Sequence, residues 1–236
     1  MVDAGSGIRD LGRRILDEDS REVTLLLTHL HWDHLLGFPF FLPIYQPGWR
    51  VNVTGCPRAM EGLTGLFDTH HGDGYFPVRF EGLPARVQPT KDYLSPTLSL
   101  GSIRVRTVPL NHPQGGLGYR FAENGESWVF LTDNELNGPA PRKLDDYARF
   151  CQGAQVLIHD AQYLPQEMVS HQGWGHSSWD QAVKLAEMAG ARRLILIHHD
   201  PGRTDDQIDD LLAQARAAAP PGLQVDAAYE GLTLTA

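Results

Sequence analysis

The stretch Thr28-His29-Leu30-His31-Trp32-Asp33-His34 places four side chains with metal-binding lone pairs within six residues, directly after an apolar run. Imidazole nitrogen and carboxylate oxygen are ligands for divalent cations of borderline to hard character. His29 and His31 flank a single residue, so an extended turn can bring both rings to one cation. Asp33 and His34 follow where the chain is expected to turn into a helix, and would face a second cation beside the first. A polar loop whose histidines cluster by accident is the bland alternative, and so dense a set at so tight a spacing argues against it. The run reads as a two-metal ligand cassette.

Such a cassette needs a rigid element behind it. Residues 23–28, read with Glu22 as EVTLLLT, predict a short buried strand whose polar end presents the ligands. Further strands are expected at residues 50–54, 102–108, 118–121, 127–132, 155–158 and 193–197. A helix over 179–189 opens with Ser178 and Gln181 at capping-box spacing, carries Ala182, Leu185, Ala186 and Ala189 on one face, and ends at Gly190. A second spans about 205–218, with Ile208, Leu211, Leu212 and Ala215 inward. Strands through the middle and helices concentrated late predict a layered α/β or αββα architecture rather than a bundle or sandwich. Four strands are followed by, or end in, His or Asp: Asn111-His112-Pro113, Thr132-Asp133-Asn134, His159-Asp160 and His198-His199-Asp200. Each alone is compatible with a satisfied loop residue, and their recurrence favours one shared rim.

With 236 residues and 42% hydrophobic content, the chain is expected to form a single domain spanning 1–236. Cys56 and Cys151 lie far apart and in no CxxC context, which suggests neither a disulfide framework nor a thiolate metal site and fits a cytoplasmic protein. The N-terminus has no long apolar segment, and the longest uncharged apolar run, residues 35–45, is broken by Gly37, Pro39 and Pro43 and too short to span a bilayer. A formal charge of -9 with no basic block argues against extended contacts with a nucleic-acid backbone. It leaves room for a small anion held by metals. Residues 35–45 are expected to pack in the core beside the metal loop, or to contact a second copy of the chain in a homodimer.

The ordered set His29, His31, Asp33, His34, then His112, Asp133 and His198 resembles the HxHxDH signature and later ligands of the metallo-β-lactamase-fold hydrolases. It is most similar to their phosphodiesterase branch, which contains tRNase Z. Gly118-Tyr119-Arg120 follows His112, Leu157-Ile158-His159-Asp160-Ala161-Gln162 looks like that branch's "HEAT" strand end, and Gly175-His176-Ser177-Ser178 like its "HST" segment. The likeness runs from Val2 to roughly Pro201. Two departures stand out. The family's opening strands normally precede the stretch matched by Val2-Asp3-Ala4-Gly5-Ser6-Gly7, so the chain reads as N-terminally short, and the long Gly-rich basic arm with which tRNase Z grips tRNA has no counterpart.

The resemblance implies an α/β fold, an αββα sandwich of two mixed sheets flanked by helices. It also implies that His29, His31 and His112 bind one metal, Asp33, His34 and His198 another, and that Asp133 bridges them. The nitrogen and oxygen donors suit zinc first, with manganese or iron compatible. Two cations roughly 3.5 to 4 Å apart can share a hydroxide and clamp the attacking and leaving oxygens of an in-line displacement. The implied activity is hydrolysis of a small or cyclic phosphodiester. His176 is the candidate for protonating the leaving alkoxide, Asp160 for orienting it or a metal-bound imidazole, and Asp33 for both ligation and proton acceptance. Of the neighbours His198 and His199, the family motif and strand alternation select His198 and leave His199 a supporting role. His70 and His71 read as surface-loop residues. Two rival functions stay open: carbonyl hydrolysis of a lactone, thioester or β-lactam on the same metals, and a non-catalytic metal-binding or partner-docking module.

Overall fold

The computed structural model describes residues 1–68, 76–90, 95–138 and 141–234. The chain folds as two compact units, Met1–Ser95 and Pro96–Ala236, each with its own sheet. His70 and His71 lie outside the described residues.

The first unit runs α1 (Ile8–Ile15), β1 (Glu22–Leu27), β2 (Arg50–Gly55), α2 (Ala59–Asp68) and β3 (Arg86–Pro89). Its three strands pair in the order β1-β2-β3, all parallel, so this sheet is not mixed as the sequence reading expected. Helices also appear early in the chain, α1 and α2, where the apolar spacing was too short to announce them. Leu25, Leu26 and Leu27 are all buried, because β1 is covered on both faces and its pattern is a continuous apolar run rather than an alternation. Its outer edge is taken by the N-terminus: Val2 bridges Leu26, and Asp3 N–H donates to the Leu26 carbonyl at 2.9 Å. After β1 the chain makes a 3₁₀ turn at Trp32–His34, shorter than the helix foreseen there. Residues 35–45 then feed Leu35, Phe38, Phe41 and Ile44 into the core and leave Leu36 and Phe40 exposed. This layout demands a glycine at 37, since a Cβ there would stand 1.9 Å from the Gly5 carbonyl oxygen.

The second unit runs β4 (Thr97–Leu100), β5 (Ile103–Pro109), β6 (Leu117–Glu123), β7 (Glu126–Leu131), α3 (Leu144–Cys151), β8 (Val156–Asp160), α4 (Met168–His171), α5 (Trp179–Ala189), β9 (Arg193–Ile197), α6 (Asp205–Ala218) and β10 (Gln224–Ala227). The strands form one mixed sheet in the order β10-β9-β8-β7-β6-β5-β4. From β4 to β7 it is an antiparallel meander, and from β7 to β10 it is parallel, with helical crossovers. The small residues Ala182, Ala186 and Ala189 let α5 approach Leu157, Leu194 and Leu196 of the sheet.

The topology explains why four sequence-distant residues share an edge. Antiparallel pairing through β6 makes β5 and β7 run in the same direction, and β8 and β9 follow β7 in parallel. Leu131, His159 and Leu196 are in register, so the chain leaves β7, β8 and β9 at nearly the same level. His112, Asp133, Asp160 and His198 therefore all emerge at the carboxyl edge of one sheet, the usual place for function in parallel α/β sheets.

Candidate functional site

In the first unit the cassette is organised from behind by Asp3. Thr28 donates to this carboxylate through its backbone N–H (2.7 Å) and its hydroxyl (2.8 Å), and His34 donates through Nδ1–H at 2.8 Å. The Thr28 hydroxyl, its proton committed to Asp3, accepts from His29 Nδ1–H at 2.9 Å. Asp3 thus holds both rings in the tautomer that carries a lone pair on Nε2, the effect a carboxylate has behind a metal-binding imidazole. The His29 and His31 rings meet edge to face with centroids 4.6 Å apart, and His29 and His34 lie 4.2 Å apart. His34 Nε2 stands 3.1 Å from Asp33 Oδ2.

In the second unit Asp133 is the centre. Its Oδ2 lies 4.0 Å from His112 Nε2 and its Oδ1 lies 3.5 Å from His198 Nδ1, so each oxygen faces a different imidazole. Asp133 (φ 49°) and His198 (φ 57°) both have left-handed backbones, strained for residues with a Cβ and frequent where a fold aims a side chain at a site. The choice of His198 over His199 in the sequence rests on the family motif together with strand alternation. The structure supplies a different reason: β9 ends at Ile197, and the left-handed turn at His198 directs that ring to Asp133. His199 is largely buried, and burial pushes its pKa down.

Beside these candidate ligands stands His176. Its Nδ1–H donates to Asp160 Oδ2 at 2.6 Å, and Ser177 N–H donates to Asp160 Oδ1 at 3.0 Å. Asp160 is fully buried. The His176 ring stacks on His198 at 4.9 Å and meets His112 edge-on at 5.2 Å. His112 in turn donates from Nδ1 to the Gly175 carbonyl at 3.1 Å, which leaves Nε2 facing Asp133. Burial, with the negative charge of Asp160 next, pushes the nearby Tyr163 phenol up to about 12, so it stays protonated and serves as no base.

The family described as "Beta-lactamase superfamily domain" matches residues 1–199. The chain belongs to the metallo-β-lactamase superfamily. It is similar to Ribonuclease Z of Thermoplasma volcanium, 26% identical in an alignment 236 positions long, gaps included, that covers 82% of this chain and 74% of that protein. Human tRNase Z, short form, aligns with a TM-score of 0.67 at 19% identity over 99% of this chain and 86% of that one. A diphosphatase of the PhnP family aligns with a TM-score of 0.65 at 21% identity, over 99% and 78%. The chain is thus a hydrolase with the metallo-β-lactamase fold, a mixed α/β arrangement of two sheets with flanking helices.

The metallo-β-lactamase fold implies divalent metal ions, and the residues present fit them. In a tetrahedral site with ligand bonds of about 2.0–2.2 Å, two donors stand roughly 3.4 Å apart. The His34–Asp33, His198–Asp133 and His112–Asp133 separations of 3.1, 3.5 and 4.0 Å bracket that value. Donors are nitrogen and oxygen throughout; the two cysteines are buried elsewhere, in different units, with thiols pushed up to about 12 by burial.

The residues that hold the candidate ligands in place have no assigned role in the sequence reading, where Asp3 figures only within the stretch 2–7. Asn111 N–H donates to Asn134 Oδ1 at 3.0 Å and Asn111 Nδ2 to the Glu135 carbonyl at 3.0 Å, which laces the His112 loop to the Asp133 loop. The buried Glu135 carboxylate accepts from Gly173 N–H (2.9 Å) and Gly175 N–H (3.0 Å), fixing the segment that precedes His176. One signal was available: Asn111 and Asn134 are polar residues directly beside the candidate ligands His112 and Asp133, and Glu135 follows one residue later.

Proposed function

We propose that this hydrolase cleaves a small or cyclic phosphodiester at a dinuclear metal centre, both units acting as one domain. In this reading His29, His31 and His112 hold one cation, Asp33, His34 and His198 the other, and Asp133 takes part in both. Zinc is the first choice of metal, with manganese or iron compatible with the donors. When bound, the cations supply Lewis-acid polarisation of the phosphoryl oxygens and acidify a water.

The remaining work falls to the chain. In this reading Asp33 also accepts the proton of the attacking water. His176, protonated at Nε2 while Asp160 holds its Nδ1–H, hands that proton to the leaving alkoxide. The observation that carries the reading is this pair, with His176 stacked on His198. A departing alkoxide needs an acid, and the fold spends a fully buried carboxylate on orienting one. The net charge of -9 without a basic run supports a small substrate over an extended nucleic acid.

The test is hydrolysis of bis(p-nitrophenyl) phosphate by metal-free protein refilled with zinc or manganese, beside Asp133→Ala, with a β-lactam, a lactone and a precursor tRNA as comparison substrates. Metal-dependent diester cleavage that falls to background in Asp133→Ala is the expected result. Faster turnover of the lactone or β-lactam would replace the reading by carbonyl hydrolysis, and cleavage of the tRNA alone would replace the small substrate. Stoichiometric metal without turnover would leave a binding module.

A further inference from the structure

Between two glycines anchored on the buried Glu135 carboxylate the chain exposes an indole. Trp174 is 58% exposed, yet its backbone is tied down on both sides. Both neighbours, Gly173 and Gly175, donate their N–H groups to the buried Glu135 carboxylate, and Trp174 N–H donates to the His171 carbonyl at 3.2 Å. The indole meets the His171 ring edge-on at 4.9 Å. His171 stacks on Tyr163 at 4.3 Å, Tyr163 meets His176 at 6.1 Å, and His176 stacks on His198 at 4.9 Å. An unbroken row of rings therefore leads, inside one unit, from the proposed acid to the exposed tryptophan. Single exposed aromatic residues are ordinary. A rigidly mounted one at the end of such a row, two residues from the acid, is a platform.

We infer that Trp174 is a specificity-determining residue: it stacks a nucleobase of the phosphodiester whose phosphate is cleaved beside His176. The inference rests on the phosphodiesterase reading and narrows it to nucleoside-bearing diesters. A fixed indole suits such a group because every base has a π-face, and stacking needs no hydrogen bond from the protein. Its rigid mounting lowers the ordering cost of binding.

Two measurements separate this inference from the reading beneath it. The first compares thymidine 5′-(p-nitrophenyl phosphate) with methyl p-nitrophenyl phosphate, which share a leaving group and differ in the nucleoside. Trp174→Ala is expected to lower the ratio of their kcat/KM values about tenfold, and Trp174→Phe, which keeps a π-face, to restore most of it. The second needs no turnover: wild-type protein is expected to bind adenosine 5′-monophosphate more tightly than inorganic phosphate, and Trp174→Ala to close that gap. A ratio unchanged within twofold in Trp174→Ala, or an equal fall on both diesters, overturns the inference and leaves the hydrolase intact. Absence of any diester turnover with a Trp174-dependent preference for the nucleotide removes the phosphodiesterase reading and keeps the platform. An identical preference in wild type and Trp174→Ala overturns the platform by itself.

Discussion

In the proposed metal centre Asp3 is the residue on which the first unit's candidate ligands depend, and Asp3→Asn tests this with little collateral damage. The residue sits at φ 58°, a left-handed backbone that asparagine tolerates as readily as aspartate, so the substitution adds no backbone strain. The amide oxygen of an asparagine can still accept from Thr28 N–H. Its NH₂ group then faces His34 Nδ1–H, which donates across 2.8 Å in the wild type, and two donors cannot share that contact. His34 must rotate or change tautomer, and either loses the lone pair held at Nε2. A hydrogen bond to a charged group contributes about 1.5–3 kcal/mol. Part of that is the orientation of a metal ligand, and comparable substitutions behind metal-bound imidazoles weaken metal binding about 10- to 100-fold. That range equals about 1.4–2.7 kcal/mol, in agreement with the bond energy. The assay is competition with a chromophoric chelator, with thermal unfolding of the metal-free protein as control. Thr28→Val is the companion variant: it removes the hydroxyl between His29 and Asp3 while sparing His34, and is expected to cost less than Asp3→Asn. Metal affinity within threefold of wild type in Asp3→Asn, even with a lower Tm, would refute the reasoning and make Asp3 a purely structural clamp.

Further outcomes follow from the second unit. Asp160→Asn keeps the shape behind His176 but removes its charge; kcat is expected to fall about 100-fold on an alkyl diester and far less on bis(p-nitrophenyl) phosphate, whose leaving group needs no proton. Equal losses on both would deny His176 the role of acid. Gly175→Ala would set a Cβ 2.2 Å from His112 Nδ1 and 2.4 Å from Pro113 Cδ at a φ of 91°. Backbone strain alone costs about 1–3 kcal/mol, and a displaced His112 should lower metal occupancy as well, so a Tm and zinc stoichiometry matching wild type would contradict the packing. His159 is fully buried, donates from Nδ1 to the Asp160 carbonyl at 2.7 Å, and faces Asn134 Nδ2 through Nε2 at 3.2 Å. Burial lowers its pKa, so the unfolded chain binds a proton that the folded chain refuses. Its contribution is therefore intact above the unfolded value near 6.5 and declines as pH drops below it, by at most about 1.4 kcal/mol per pH unit until the folded pKa is reached. Urea unfolding of metal-free protein at pH 7.5 and 5.5 should show a smaller pH dependence for His159→Gln than for wild type, and the same slope in both would remove burial of this ring from the account.

The elements legible in the sequence were those whose signal is local. The helix Trp179–Ala189 begins at Ser178, with Gln181 Oε1 accepting from Ser178 N–H at 3.4 Å, and ends at Gly190, all within one stretch of chain. β9 and α6 likewise matched their patterns. β8 ran past its expected end to take in His159 and Asp160, because pairing with β9 continues to Ile197 and outweighs the low strand preference of polar residues. α1 and α2 were missed, being short helices made by packing against the turns that follow β1 rather than by a long apolar repeat.

By itself the sequence determined the donor inventory: a dense His/Asp cassette after a buried strand, then His112, Asp133 and His198 in an order that resembles one superfamily. Residue type and short spacing suffice for that, because chemistry belongs to the side chain and a strand end lies next to its own strand. Only tertiary structure decided how the donors are aimed. The carboxylate behind His34 comes from 31 residues away, and the one that pins Gly175 from 40 residues away. Contacts at such separations leave no periodic trace in the chain. The left-handed turns that aim Asp133 and His198 are nearly as silent, since Asp and His tolerate a positive φ better than most residues but adopt it only where the surrounding packing imposes it.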